Sequence, residues 1–295
     1  MEKDTPESGG TPAYFTASDG YRWAYREFAP SGSPRARVVC VHGIQSHGGW
    51  YVHSCSRLAA AGYAVSFLDR RGSGLNDMAR GYTPSFRRLL DDIGEYLRDL
   101  RAKHVQPLFL LGISWGGKIA TAVTHRCHRL VDGLILVAPG FLPQVGLPLR
   151  ERLAILAARL VNPRRLFPVP LSEAELFTMT PHWQDFVRND PLSLRAATAR
   201  FFVESVRLDW YLRFTRARVA VPVLMLLAEK DRIIDNARTR AFIDKFSSVD
   251  KHIIEYAGAH HTIEFEPDPE PFIGDIAAWL DRQVARLPNP NSNPH

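Results

Sequence analysis

No apolar run in this 295-residue chain approaches the length of a membrane-spanning helix. The first residues, Met1-Glu-Lys-Asp-Thr-Pro, lack the basic and then apolar regions of a secretory signal. These two absences predict a soluble, cytoplasmic protein with no integral membrane segment. Cysteine is scarce too: Cys40, Cys55 and Cys127 cannot all pair with one another, and none has metal-ligand spacing. Cys40 sits inside the apolar run Val38 to Val41 and reads as a small buried thiol. Internal repeats and low-complexity blocks are also missing. The net charge is +6, yet lysines and arginines are scattered among acids, as in Arg87-Arg88-Leu-Leu-Asp91-Asp92. Without a basic stripe interleaved with aromatics, nucleic acid is not an expected partner. The segment Asp69 to Gly74 lacks the Lys-Ser/Thr pair of a phosphate-binding loop, so it reads as loop-shaping.

What the chain does have is enough apolar content, 45%, for a sizeable core. Tyr14-Phe-Thr and Tyr21 to Phe28 alternate apolar and polar around the turn Ser18-Asp-Gly20, the pattern of an antiparallel hairpin with one wet face. From Arg37 onward the pattern changes. Apolar runs at Val38 to Val41, Ala64 to Leu68, Leu108 to Leu111, Leu134 to Val137 and Val223 to Leu227 are separated by helical stretches. That alternation predicts an α/β fold, a mostly parallel central sheet with helices on both faces. One helix is plain from its period: Phe86, Leu89, Leu90, Ile93, Leu97 and Leu100 on one side, Arg87, Asp91, Glu95 and Asp99 on the other.

The alternation breaks between Phe141 and Ala217, where helix formers and bulky groups such as Phe177, Trp183, Phe201 and Trp210 fill a span too long for an unstructured loop. The prediction is a core of residues 12–140 and 218–287 with a helical cap inserted at 141–217, and flexible tails at 1–11 and 288–295. Within the cap, Leu149, Leu153, Leu156 and Leu160 share one face of a helix. That face is expected to pack onto the core, with transient contact with a lipid surface as the alternative.

The chemistry begins at Gly112-Ile-Ser-Trp-Gly116, which follows a short apolar strand and precedes a helix. This is the G-x-S-x-G pattern of a serine held in a strained strand-to-helix turn, where side chains two positions away on either side would clash. A serine hydroxyl needs a base, an orienting acid and an oxyanion site. Downstream, the apolar strand from Val223 ends in a loop with Asp231, and Asp235 follows it; Ile253 to Ala259 ends in His260 and His261. The two histidines cannot both aim inward from an extended loop. The backbone N–H of Trp115 would be one oxyanion donor, and that of Ile44, in the strand-loop Val38 to Gln45, the second.

In these motifs the chain resembles the α/β-hydrolase superfamily, in particular its monoacylglycerol lipase and lysophospholipase-like branch. The resemblance runs from about Thr16 to Leu287. It rests on His42-Gly-Ile-Gln-Ser-His-Gly-Gly-Trp-Tyr51, Asp69-Arg-Arg-Gly-Ser-Gly74, Gly112 to Gly116, Ala228-Glu-Lys-Asp-Arg-Ile-Ile-Asp235 and Tyr256-Ala-Gly-Ala-His-His261. It implies Ser114 as nucleophile, Asp231 as acid with Asp235 as a helix cap, and His261 as base with His260 its neighbour. His42, a lone histidine by a turn, reads as structural, and the resemblance gives His47 a supporting role. It also implies hydrolysis, without metal or organic cofactor, of a small-molecule ester, monoacylglycerol-like or lysophospholipid-like with small carboxylic esters next, and the apolar, aromatic cap suggests an acyl chain or aryl group beside the serine. Trp115 after the serine also resembles haloalkane dehalogenases and proline-releasing peptidases. A serine in place of aspartate argues against the first, and the oxyanion loop lacks the proline usual in the second. The alternatives are aminopeptidase or acyltransferase chemistry on the same three residues, or a non-catalytic ligand-binding protein on this fold.

Overall fold

The computed structural model describes residues 10–287. In chain order, β1 (Thr11–Thr16) and β2 (Arg22–Phe28) form the hairpin, followed by β3 (Ala36–Val41), α1 (Val52–Ala60), β4 (Tyr63–Leu68) and α2 (Phe86–Lys103). Next come β5 (Leu108–Ile113), α3 (Trp115–Arg126) and β6 (Gly133–Val137). The inserted segment holds α4 (Leu149–Val161), β7 (Leu166–Pro168), α5 (Pro181–Asn189), β8 (Ala196–Thr198) and α6 (Ala199–Thr215). The chain then returns through β9 (Val223–Ala228), α7 (Asn236–Ile243), β10 (Lys251–Tyr256) and α8 (Glu270–Arg286).

Eight strands make one sheet in the order β1-β2-β4-β3-β5-β6-β9-β10. The pairings β1–β2 and β2–β4 are antiparallel, and every pairing from β4 to β10 is parallel. Residues of β3, β5, β6 and β9 are almost all buried, because helices cover both faces of these central strands. Helix α2 buries the apolar face its period predicts, and Ser85 caps it by accepting from the Arg88 amide at 3.1 Å. The mostly parallel α/β sheet read from the sequence is the observed one. Of the residues expected to be tails, Thr11 already pairs in β1, and 1–9 and 288–295 lie outside the described residues.

The cap differs from expectation in two ways. It carries an antiparallel ribbon, β7 with β8, as well as helices. Its leucine face is also largely exposed: Leu149, Leu153, Leu156 and Leu160 are 71%, 58%, 55% and 85% exposed, and of these only Leu156 borders the cavity under the cap. The inward face of α4 is made instead by Ile155 and Ala158, packed with Phe167 and Ala199. Ile155 and Ala158 seat α4 against the rest of the cap, and the leucines are left largely exposed. Among the described residues no helix is long and apolar enough to cross a membrane.

Candidate active site

Strand β5 runs into Ser114, whose backbone has φ 51° and ψ −123°, a conformation L-residues rarely hold. Three main-chain bonds fix it there: Ser114 N donates to Val137 O at 2.9 Å, and Ser114 O accepts from Gly117 N and Gly140 N at 2.8 Å each. Glycine is required on both sides. A Cβ on Gly112 would lie 2.7 Å from Ala120 Cβ and the Gly116 carbonyl, and one on Gly116 would lie 2.2 Å from the Val41 carbonyl oxygen.

The turn brings Ser114 to residues far along the chain. Ser114 Oγ lies 2.9 Å from His261 Nε2, and His261 Nδ1 lies 2.7 Å from Asp231 Oδ2. The other Asp231 oxygen accepts from the Ile233 and Ile234 amides at 2.8 and 2.9 Å, which fixes the carboxylate's orientation. All three side chains are buried. The neighbours considered from sequence point elsewhere. His260 turns to Glu266, with Nδ1 to Oε1 at 3.0 Å, and Asp235 caps α7 by accepting from the Arg238 amide at 2.9 Å.

The loop after β3 packs against the serine: a Cβ on Gly43 would sit 3.3 Å from Ser114 Cβ. Ile44 belongs to this loop, and Trp115 opens α3. Neither backbone N–H has a protein acceptor among the described residues, so both are free to donate. Arg70 holds the loop from behind, its Nη2 donating to the Ile44 carbonyl and, at 3.4 Å, to that of Gly43. Its guanidinium also lies 5.0 Å from the Trp115 ring and 5.3 Å from that of Phe201. Burial brings the Arg70 pKa down to about 9, which still leaves it charged at neutral pH. His42 is wholly buried beside it, accepting from the Arg70 amide at 3.2 Å through Nε2. Burial and the Arg70 charge keep this imidazole neutral.

Among the hydrogen bonds that tie the cap to the core, two polar clusters flank the serine. His47 Nε2 meets Asp190 Oδ2 at 3.0 Å, and the same carboxylate accepts from Trp50 Nε1 at 2.7 Å and Ser193 Oγ at 2.8 Å. Burial alone would raise the Asp190 carboxyl, but these bonds outweigh it and hold the group below the usual carboxylate range. On the other side, Trp115 Nε1 donates to Ser205 Oγ at 2.9 Å and Lys118 Nζ pairs with Asp209 Oδ1 at 2.6 Å. Residues three apart on α3 thus meet residues four apart on α6, the spacing at which side chains share a helix face. Asp190, Ser205 and Asp209 carry no local sequence signal, because each acts through a partner on a distant segment.

Between cap and core lies a cavity of about 620 Å³ with Ser114, Ile44 and Trp115 in its wall. Most of its lining is apolar, including Val145, Leu147, Ile155, Val169, Leu171 and Phe202. Among the described residues no cluster of His, Cys, Asp and Glu could hold a metal ion.

Three residues beyond His261, Glu264 is buried and accepts from the Ser54 amide at 3.0 Å; its second oxygen has no partner among the described residues. Burial pushes this carboxyl up to about 7 from an ordinary 4.5. The folded state therefore binds this proton more tightly than the unfolded chain. The group costs nothing below the unfolded value; its destabilisation builds as pH rises from about 4.5 to about 7, reaching roughly 3 kcal/mol at full effect. Glu264→Gln should raise the melting temperature at pH 8.5 and leave it nearly unchanged at pH 5. Equal shifts at both pH values would contradict the assignment.

Residues 32–268 match the family described as "Serine aminopeptidase, S33". The chain is 28% identical over 279 residues to a monoacylglycerol lipase of Mycolicibacterium smegmatis, covering 90% of this chain and 95% of that protein. It is 26% identical over 253 residues to the phospholipase YtpA of Bacillus subtilis, covering 85% and 97%. Among solved structures, a soluble variant of the Saccharomyces cerevisiae monoglyceride lipase superposes with a TM-score of 0.81 at 21% identity, covering 96% and 98% of the two chains. The monoacylglycerol lipase of Paleococcus ferrophilus gives 0.79 at 23%, covering 88% and 98%. The sheet order, the serine turn and these likenesses agree: the chain belongs to the Serine aminopeptidase S33 family and has the α/β-hydrolase fold of the monoacylglycerol lipases it resembles.

Proposed function

We propose that this protein is a serine ester hydrolase acting on a small-molecule ester with an acyl chain or aryl group, and that Ser114, His261 and Asp231 carry the reaction. The observation behind this is the unbroken hydrogen-bonded chain from Ser114 Oγ through His261 to Asp231, buried at the wall of an apolar cavity. Ser114 Oγ attacks the ester carbonyl while His261 Nε2 takes its proton. Asp231 keeps Nδ1 protonated and stabilises the imidazolium. The Ile44 and Trp115 amides receive the oxyanion, each donor being worth roughly 10²- to 10³-fold in rate. His261 then protonates the departing alkoxide, and a water molecule, activated by the same imidazole, clears the acyl-enzyme.

Ester chemistry fits this cavity better than release of N-terminal residues from peptides. An aminopeptidase must hold its substrate's ammonium group. Among the described residues the one carboxylate lining this cavity, Asp209, is already paired with Lys118, and the remaining charged lining residues, Arg152 and Arg207, are cations. The relatives named as monoacylglycerol lipase and phospholipase support acyl esters of glycerol or of a lysophospholipid as the substrate class.

The test is a panel of p-nitrophenyl esters of increasing chain length, with a monoacylglycerol and an aminoacyl p-nitroanilide. Efficient ester turnover, rising with the first methylenes as the apolar wall is engaged, is the expected outcome. Faster cleavage of the aminoacyl anilide than of every ester would overturn the reading.

A further inference from the structure

Outside the cavity at Ser114, a second cleft of about 490 Å³ opens between the C-terminal half of α6 and α7. Arg213, Arg216, Arg238 and Lys245 all line it. None of these four cations has a carboxylate within 4.0 Å among the described residues. On the same two helices, Arg207 pairs with Glu204 at 2.8 Å and Arg240 pairs with Glu255, and both pairs lie outside the cleft lining. Among the described residues the only carboxylate in the lining, Asp209, is engaged by Lys118 from the neighbouring cavity, so its charge is already offset.

The apolar floor holds two of the cations in place. Phe141 and Phe242 stack at 4.4 Å with their planes 16° apart, and the Arg216 guanidinium lies 4.5 Å over the Phe242 ring. The Arg213 guanidinium lies 5.9 Å from the ring of Trp210, another lining residue. A guanidinium held over an aromatic ring loses side-chain freedom while keeping its in-plane N–H donors open. Four like charges in one concavity repel one another, and that repulsion is relieved by an anion with several acceptor oxygens.

We propose that this cleft is a phosphate-binding site, separate from the ester-cleaving centre, and that it takes a phosphate group either as the free anion or as a phospholipid headgroup. Arg213 and Arg238 approach the anion with forked donors and Lys245 with a point charge. The cleft is larger than inorganic phosphate requires, and its aromatic floor suits the organic part of a phosphate ester. Neither the serine chemistry nor the family's motifs use these residues, so the site stands or falls independently of the hydrolase reading.

Binding measured at one fixed ionic strength tests it, by calorimetry with inorganic phosphate and by sedimentation with vesicles of phosphatidylglycerol or of phosphatidylcholine. Wild-type protein should bind phosphate, phosphatidylglycerol or both in preference to phosphatidylcholine. The double variant Arg213→Gln/Arg238→Gln should weaken that binding at least tenfold. Arg22→Gln/Arg282→Gln removes the same charge from other faces and should change it less than twofold. Binding of inorganic phosphate identifies the free anion as a sufficient ligand, and binding only to phosphatidylglycerol identifies the headgroup. All the changed arginines are exposed, so turnover of a short soluble ester should stay at the wild-type rate and report that each variant is folded. No binding of either probe, or an equal loss in both double variants, would overturn the proposal.

Discussion

Ser114→Ala is expected to lower ester turnover by roughly 10⁴- to 10⁶-fold while leaving the melting temperature within a degree or two of wild type. The rate loss follows from removing the only atom placed to form the acyl bond: Oγ lies 2.9 Å from the imidazole that would take its proton. The unchanged stability follows from the backbone. The φ of 51° is held by bonds from Gly117 N and Gly140 N to the serine carbonyl and from Ser114 N to Val137 O, all of which alanine keeps. Alanine bears the same strain at this φ as serine, so no strain is added or relieved. Steady-state kinetics and a thermal melt on one preparation check both halves. Turnover above about one hundredth of wild type would remove Ser114 from the mechanism.

Gly116→Ala is expected to do the reverse, destroying the fold rather than only the chemistry. The added Cβ would lie 2.2 Å from the Val41 carbonyl oxygen and 2.5 Å from that of His42. Both are main-chain atoms at the end of β3, which pairs with strands on both sides, so neither can move without shifting the sheet. Relief must come from displacing α3, and with it Ser114. A loss above about 4 kcal/mol, seen as little or no soluble folded protein, is the expected result. Gly274→Ala is the matched comparison. Gly274 stands on the exposed side of α8 with nothing within 4 Å of its added Cβ, so alanine there should add up to about 1 kcal/mol. Normal stability of the Gly116 variant would mean that the turn is looser than the geometry described above.

The serine turn and the sheet were legible in the sequence because both are local. Alternating and continuous apolar runs set which strands are half-wet and which are buried, and the two glycines of the turn stand where a Cβ would strike backbone. The order of Ser114, Asp231 and His261 could be read along the chain, but their meeting could not, because Ser114 and His261 are 147 positions apart. The family motif already favours Asp231 over Asp235, and the fold shows the physical difference: one carboxylate accepts from amides of a tight loop, the other from the first turn of a helix.

The cap shows where such reading stops. A period of three and four finds the leucine stripe on α4 but gives no direction for it. The alternative inward face, Ile155 and Ala158, is too small to announce itself as one. The polar ties that place the cap over Ser114, His47 to Asp190, Trp115 to Ser205 and Lys118 to Asp209, join segments with no shared pattern. Arg70 lies in the segment Asp69 to Gly74, whose sequence signals only a loop. Its grip on the Ile44 carbonyl depends on where the loop after β3 passes.

Covalent labelling with a fluorophosphonate, read by mass spectrometry of the digested protein, addresses the proposed chemistry at its first step. A hydroxyl activated by His261 beside two free amides should give one stoichiometric adduct, on the peptide containing Ser114. Labelling should disappear in Ser114→Ala and slow by orders of magnitude in His261→Ala, while His260→Ala stays near wild type. An unlabelled folded protein, or an adduct on any other residue, would contradict the assignment of Ser114 as an activated nucleophile.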